Sequence, residues 1–198
     1  MKWERAVHHA ESLARACVDM AGRPSSIFPL RVTQLWVVGD LLGPPRDLDT
    51  ITVVPCADLP AEAVPWWSDP PGARHWANAT RMATNPVLAW WRSAHVPVWN
   101  HRIDRPALVW SDVDGVREDV LTAIRDGRGE SVRTTGPTDD ELRARLHDEL
   151  AVSLRWLREC TRTYEDRRWR PGKLEPVADA LWRASNGYLD ILDAGPPA

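Results

Sequence analysis

Two apolar runs, Leu30–Val38 (LRVTQLWVV) and Asp47–Val54 (DLDTITVV), are separated only by a turn around Gly43-Pro44-Pro45. Their β-branched and aromatic content predicts two strands. A connection this short allows them to be antiparallel neighbours, with Pro55 ending the second. The pair commits the chain to a sheet, and the remaining segments have to be read around it.

Upstream, Trp3, Val7, Ala10, Leu13, Cys17 and Met20 form a helical stripe that Gly22-Arg23-Pro24 stops. Downstream, residues 55–81 are proline-rich and carry no clear periodicity. Pro86–Ser93 predicts a short helix with Asn85 as its cap. Val96–Asn100 and Ala107–Trp110 predict short strands. Asp114 is expected to cap a helix with the stripe Val116, Val120 and Ile124. Gly127–Pro137 is rich in Gly, Ser and Thr and reads as a linker. Thr138 and Glu141 then form a capping box ahead of a long helix with Leu142, Leu146, Leu150, Leu154, Leu157 and Cys160 in one stripe. The opposite side of this helix, laced with Arg and acids, reads as a solvated face. After a break at Arg167–Gly172, a last helix over Glu175–Asp193 is expected to bury Val177, Leu181, Trp182, Tyr188 and Ile191. Pro196 and Pro197 close a frayed tail. Strands come first and long helices last, which predicts an α+β fold: a domain over 1–127, a linker over 128–137 and a C-terminal helical hairpin over 138–198.

Composition narrows the function classes. The chain has 198 residues, 43% hydrophobic and 27% charged, with a formal net charge of -3. That balance argues against nonspecific binding to nucleic acid or anionic membranes. No apolar run reaches membrane-spanning length, and the first residues read as an amphipathic helix rather than a signal peptide. Three isolated cysteines support neither a disulfide framework nor a zinc site, so a reducing cytoplasm is the expected location. Seven of the 12 Trp fall between Trp66 and Trp110. Trp66-Trp67 and Trp90-Trp91 could stack on a base, or one of each pair could be core and the other partly exposed.

The candidate site is Asp47-Leu48-Asp49. On a strand, residues two apart share a face, which places the two carboxylates about 6.5–7 Å apart at their roots. Such a pair suits a hard cation, and Mg²⁺ typically joins one or two carboxylates with substrate phosphates. Gly39, at the end of the preceding strand, permits close approach of a ligand to the backbone. A helical turn after it would aim free N–H groups at an anion. A purely structural alternative has Asp47 capping a bend and Asp49 paired with Arg46 or another Arg.

Val37-Val38-Gly39-Asp40 followed by Asp47-Leu48-Asp49-Thr50-Ile51 resembles the motif of the polymerase-beta type nucleotidyltransferase superfamily, especially its minimal bacterial members. In that family an apolar strand ends in Gly-Ser, and Asp-x-Asp leads the next strand. The resemblance implies a mixed sheet with flanking helices and a helical partner region. It implies that Gly39 and Asp40 line a triphosphate seat and that Asp47 and Asp49 hold Mg²⁺. The family also places a third carboxylate in a later strand, as base on the acceptor hydroxyl. Ala107–Trp110 contains none, but Asp104 and Asp112 flank it. Two departures stand out: Asp40 puts a negative charge where the family has Ser, and the spacer of six residues is short for the family.

Other candidates are weaker. His8 and His9 are adjacent on a helix and face different ways. His75, His95 and His101 could each act as a base. Cys56 reads as a small buried hydrophobe, and Arg167-Arg168-Trp169-Arg170 as a solvated basic turn. Two functions follow from these readings. One is metal-dependent transfer of a nucleotide from an NTP to an acceptor hydroxyl, weakened or lost. The other is a catalytically inactive fold that binds a ligand, a second copy of itself or a helical protein partner.

Overall fold

The computed structural model describes residues 1–195, and the expected tail at Pro196 and Pro197 lies outside them. The chain is α+β, with a mixed six-stranded sheet and a C-terminal pair of long helices. The strands are β1 (Val32–Val38), β2 (Ile51–Ala57), β3 (Val87–Ala89), β4 (Arg92–Ser93), β5 (Ala107–Ser111) and β6 (Gly115–Val116). The helices are α1 (Trp3–Ala21), α2 (Ala73–Ala79), α3 (Glu118–Arg125), α4 (Asp139–Arg167) and α5 (Glu175–Ala194). The sheet order is β3-β2-β1-β5-β6, with β4 also paired to β2. β1 runs antiparallel to both β2 and β5, as the short turn allows, and β3 and β4 run parallel to β2.

Period-two alternation divides the core between the two faces of the sheet. Leu35, Val37, Ile51 and Val53 pack on one face with the stripe of α1 and with Leu121 and Ile124 of α3. Val38, Val54 and Cys56 pack on the other with Trp66, Ile103, Leu146 and Ile191, so the helical pair covers that face. Residues 128–137 are held against the sheet end. The Thr134 N–H and hydroxyl both donate to the Pro106 carbonyl, at 3.0 and 2.9 Å.

Several local expectations are corrected. β2 does not stop at Pro55 but runs through it. Ile51, Val53 and Ala57 direct their backbone groups to the β3–β4 edge. By alternation Pro55 faces that edge too, and its missing N–H falls at the break between β3 and β4. Pro86–Ser93 is therefore not a helix: its Val-Leu-Ala and Arg-Ser segments are the two short parallel strands on this edge. Val96–Asn100 is a loop, because the Asn100 Oδ1 accepts the N–H groups of Arg102 and Ile103 at 2.9 and 3.0 Å and folds the chain into a turn. Asp114 closes the β5–β6 turn instead of capping a helix, with its N–H donated to the Ser111 Oγ at 2.9 Å. α2 lies within the proline-rich stretch 55–81, which carries no clear periodicity. The capping box at Thr138 is present. On α5, Ile191 is buried but Trp182 is 58% exposed, against expectation.

Glycine matters most where α5 docks. A Cβ at Gly187 would sit 2.5 Å from the Trp66 carbonyl oxygen, so only glycine lets the helix approach this closely.

Candidate functional site

The sheet register brings the end of β1 and the starts of β2 and β5 together, with Val38 opposite Thr52 and Val37 opposite Ala107. Gly39 leaves β1 with φ +77° and opens a single 3₁₀ turn over Gly39–Leu42. The turn expected after β1 is thus present. The Asp40 carboxylate is exposed and pairs with Arg46 at 2.7 Å. Arg46 therefore serves Asp40, whereas the structural alternative paired it, or another Arg, with Asp49.

Asp47 and Asp49 do not stand in β2, which begins at Ile51; the chain bends at Asp49 first. Both are exposed, with Leu48 buried between them. Leu48 is pinned because its N–H donates to the Met1 carbonyl at 2.9 Å and its carbonyl accepts from the Met1 amine at 2.6 Å. Asp104 is exposed at the same end of the sheet. Arg133 reaches across it, donating to the carbonyls of Gly39 (3.3 Å), Asp104 (3.4 Å) and Arg105 (3.2 Å). Asp112 is not brought here. Its N–H bonds the Thr33 carbonyl, six residues back along β1 from Gly39 and about 20 Å away by strand rise. Its carboxylate pairs with Arg31 at 3.0 Å. Among the described residues no three His, Cys, Asp or Glu side chains converge to hold a metal. Asp47 and Asp49 remain a pair of acidic donors open to solvent.

A second constellation was missed in the sequence. Arg92 on β4 is 2% exposed and donates to the Glu149 Oε1, on α4. The Asn100 Nδ2 donates to the Glu149 Oε2 at 3.1 Å, and the Arg145 Nε lies 2.9 Å from Oε1. Burial alone would raise the Glu149 pKa. The Arg92 charge and hydrogen bond, with Arg145 and Asn100, outweigh it and hold the carboxyl below its usual range. Burial and the Arg92 charge lower the Arg145 pKa. Glu149 thus stands on the apolar side of α4, while Asp148, Ala151 and Arg155 on the far side are exposed. A signal was available: position 149 falls beside Leu142 and Cys160 on the helical wheel, inside the apolar stripe. Arg92, Arg145 and Glu149 floor a cavity of about 320 Å³ between α4, β4 and residues 61–66.

A third cluster fixes α5. Asp190 accepts from the Trp66 Nε1 (2.8 Å), the His101 Nε2 (2.9 Å) and Arg102 (2.5 Å from Nη2). Burial opposes its ionisation, but the three donors bring its pKa down to about 2. His101 is thereby a clamp on α5; His95 pairs with exposed Asp58 at 2.9 Å, and His75 stacks on Phe28. Trp66 and Trp91 are buried and Trp67 and Trp90 partly exposed, the packing alternative for both pairs. Burial pushes the Cys56 thiol up to about 12, as suits a buried hydrophobe.

No helix among the described residues is long and apolar enough to cross a membrane. No curated protein and no solved structure matches the chain. The chain belongs to the family described as Domain of unknown function (DUF7711), whose family model matches residues 1–196.

Proposed function

We propose that the chain is a nucleotidyltransferase-like protein in which transfer of a nucleotide from an NTP to an acceptor hydroxyl is weakened or lost, and which acts as a nucleotide-binding module. One observation carries the reading. Exposed Asp47 and Asp49 lie at the same sheet end as the Gly39 turn, while Asp40, at the phosphate position, is a carboxylate engaged by Arg46. Asp47 and Asp49 fit a two-carboxylate seat for Mg²⁺, which when bound would neutralise phosphate charge. Arg133 holds the Gly39 carbonyl and so fixes the turn that would meet the phosphates. Asp40 opposes an incoming phosphate. Asp104 is exposed and precedes β5, so the strand does not aim its carboxylate as a base. These features favour retention over turnover. The test is incubation with each NTP and Mg²⁺ while pyrophosphate is followed. Binding without pyrophosphate release is expected, and release at ordinary enzymatic rates would refute the loss of transfer.

A second reading, association with another copy, is favoured by exposed Trp182, Leu189 and Leu192 on α5. Sedimentation velocity over rising concentration tests it: a species of twice the mass supports it, and a monomer throughout opposes it.

A further inference from the structure

We propose that the cavity between α4, β4 and residues 61–66 binds a small organic monoanion with an apolar body. Its volume, about 320 Å³, suits a compact ligand. Val64, Pro65 and Trp66 form one wall, and Ala151 and Val152 of α4 form another. The floor is Arg92, Arg145 and Glu149.

The floor holds more donors than it can satisfy. Two guanidiniums share one carboxylate, and Asn100 already occupies its second oxygen. Among the described residues the buried Arg92 Nε has no hydrogen-bond partner, and the side chain as a whole is 2% exposed. The Arg145 Nε is buried too, and its approach to Glu149 is not aligned as a hydrogen bond. Two buried cations that share one carboxylate leave an excess positive charge, and a planar guanidinium with free N–H groups is suited to a carboxylate or phosphate oxygen. The Trp66 ring, 5.6 Å from the Arg92 guanidinium carbon, holds this cation in place against the wall.

The rim sets the ligand's charge. Glu62 and Asp148 stand there with Arg155, all exposed, so the mouth carries one more acid than base. A second negative charge at the outer end of the ligand meets repulsion, whereas a single charge at the floor does not. Gly39, Asp47, Asp49 and Asp104 take no part in the lining, so this site stands apart from the nucleotide reading.

The test is thermal shift and calorimetry at constant ionic strength with benzoate and phenylacetate, against the dianions phthalate and phenyl phosphate and the cation benzylamine. Saturable stabilisation by the two monoanions, weaker by the dianions and absent with benzylamine, is expected. Arg145→Met keeps Arg92 to neutralise Glu149 and should fold; benzoate affinity should fall on the order of tenfold or more, as for loss of a charge-assisted bond. Val152→Trp fills the cavity from the half-exposed side of α4 and should abolish binding, so it decides the matter if Arg145→Met does not fold. The double variant Asp47→Asn/Asp49→Asn should bind benzoate normally. Absence of any monoanion shift, equal response to benzylamine, persistence in Val152→Trp, or loss in the Asp47/Asp49 variant would each overturn the proposal.

Discussion

Arg92 on β4 donates through Nη2 to Oε1 of Glu149 on α4, and both residues are buried where the helical pair meets the sheet. The contact joins elements 57 residues apart in sequence. Glu149→Leu leaves two guanidiniums without their shared counter-charge and should cost about 3–5 kcal/mol. Arg92→Met/Glu149→Leu removes the pair together and leaves Arg145 as the one charge on the floor, 11% exposed and able to turn outward. The double variant should be more stable than Glu149→Leu alone, which urea unfolding of the variants measures.

Asp190 makes stability fall in acid. Its folded pKa of about 2 lies below the ordinary 3.8. Its contribution is therefore fully present above 3.8 and is lost as pH falls through about 2. Glu149 and Asp119 are also held low and add a slope of the same sign. Urea midpoints between pH 5 and pH 2 should therefore drop less steeply in Asp190→Asn than in the parent chain.

Gly187→Val places side-chain atoms where the Trp66 carbonyl lies 2.5 Å from the first added carbon. Both partners are backbone-fixed, so α5 must shift. A loss of at least about 2 kcal/mol is expected, together with faster protease cleavage in the 168–174 connection between α4 and α5.

Asp40→Ser removes a carboxylate from the proposed phosphate seat and releases Arg46 from its 2.7 Å pair. Affinity for an NTP in the presence of Mg²⁺ should rise several-fold, read by calorimetry. Asp40→Glu keeps the charge and should change little.

Much of this architecture could be read along the chain because it depends on local chemistry. The α1 stripe, the Thr138 capping box and the β1–β2 pair are set by residues within a few positions of one another. Local chemistry misleads where distant partners decide. Pro86–Ser93 has helix-start chemistry at Asn85-Pro86, but the free edge of β2 recruits it as two strands. α2 was hidden by the prolines before it and is only seven residues long. Glu149 has its reason to be inside only through Arg92, which comes from another element. At the Gly39 end of the sheet the setting of the candidate residues is not legible in the sequence. Asp47 and Asp49 precede the strand because Met1 ties down Leu48 between them. Asp112 is removed to the far end of the sheet because β5 runs antiparallel to β1.

The proposed nucleotide seat at the Gly39 end of the sheet needs Asp47 and Asp49. Calorimetric titration of ATP, with and without Mg²⁺, into the parent chain and into Asp47→Asn/Asp49→Asn tests it most directly. Saturable binding that requires Mg²⁺ is expected in the parent, and its loss in the double variant. Equal binding by both proteins, or no heat of binding in the parent at millimolar ATP with Mg²⁺, would contradict it.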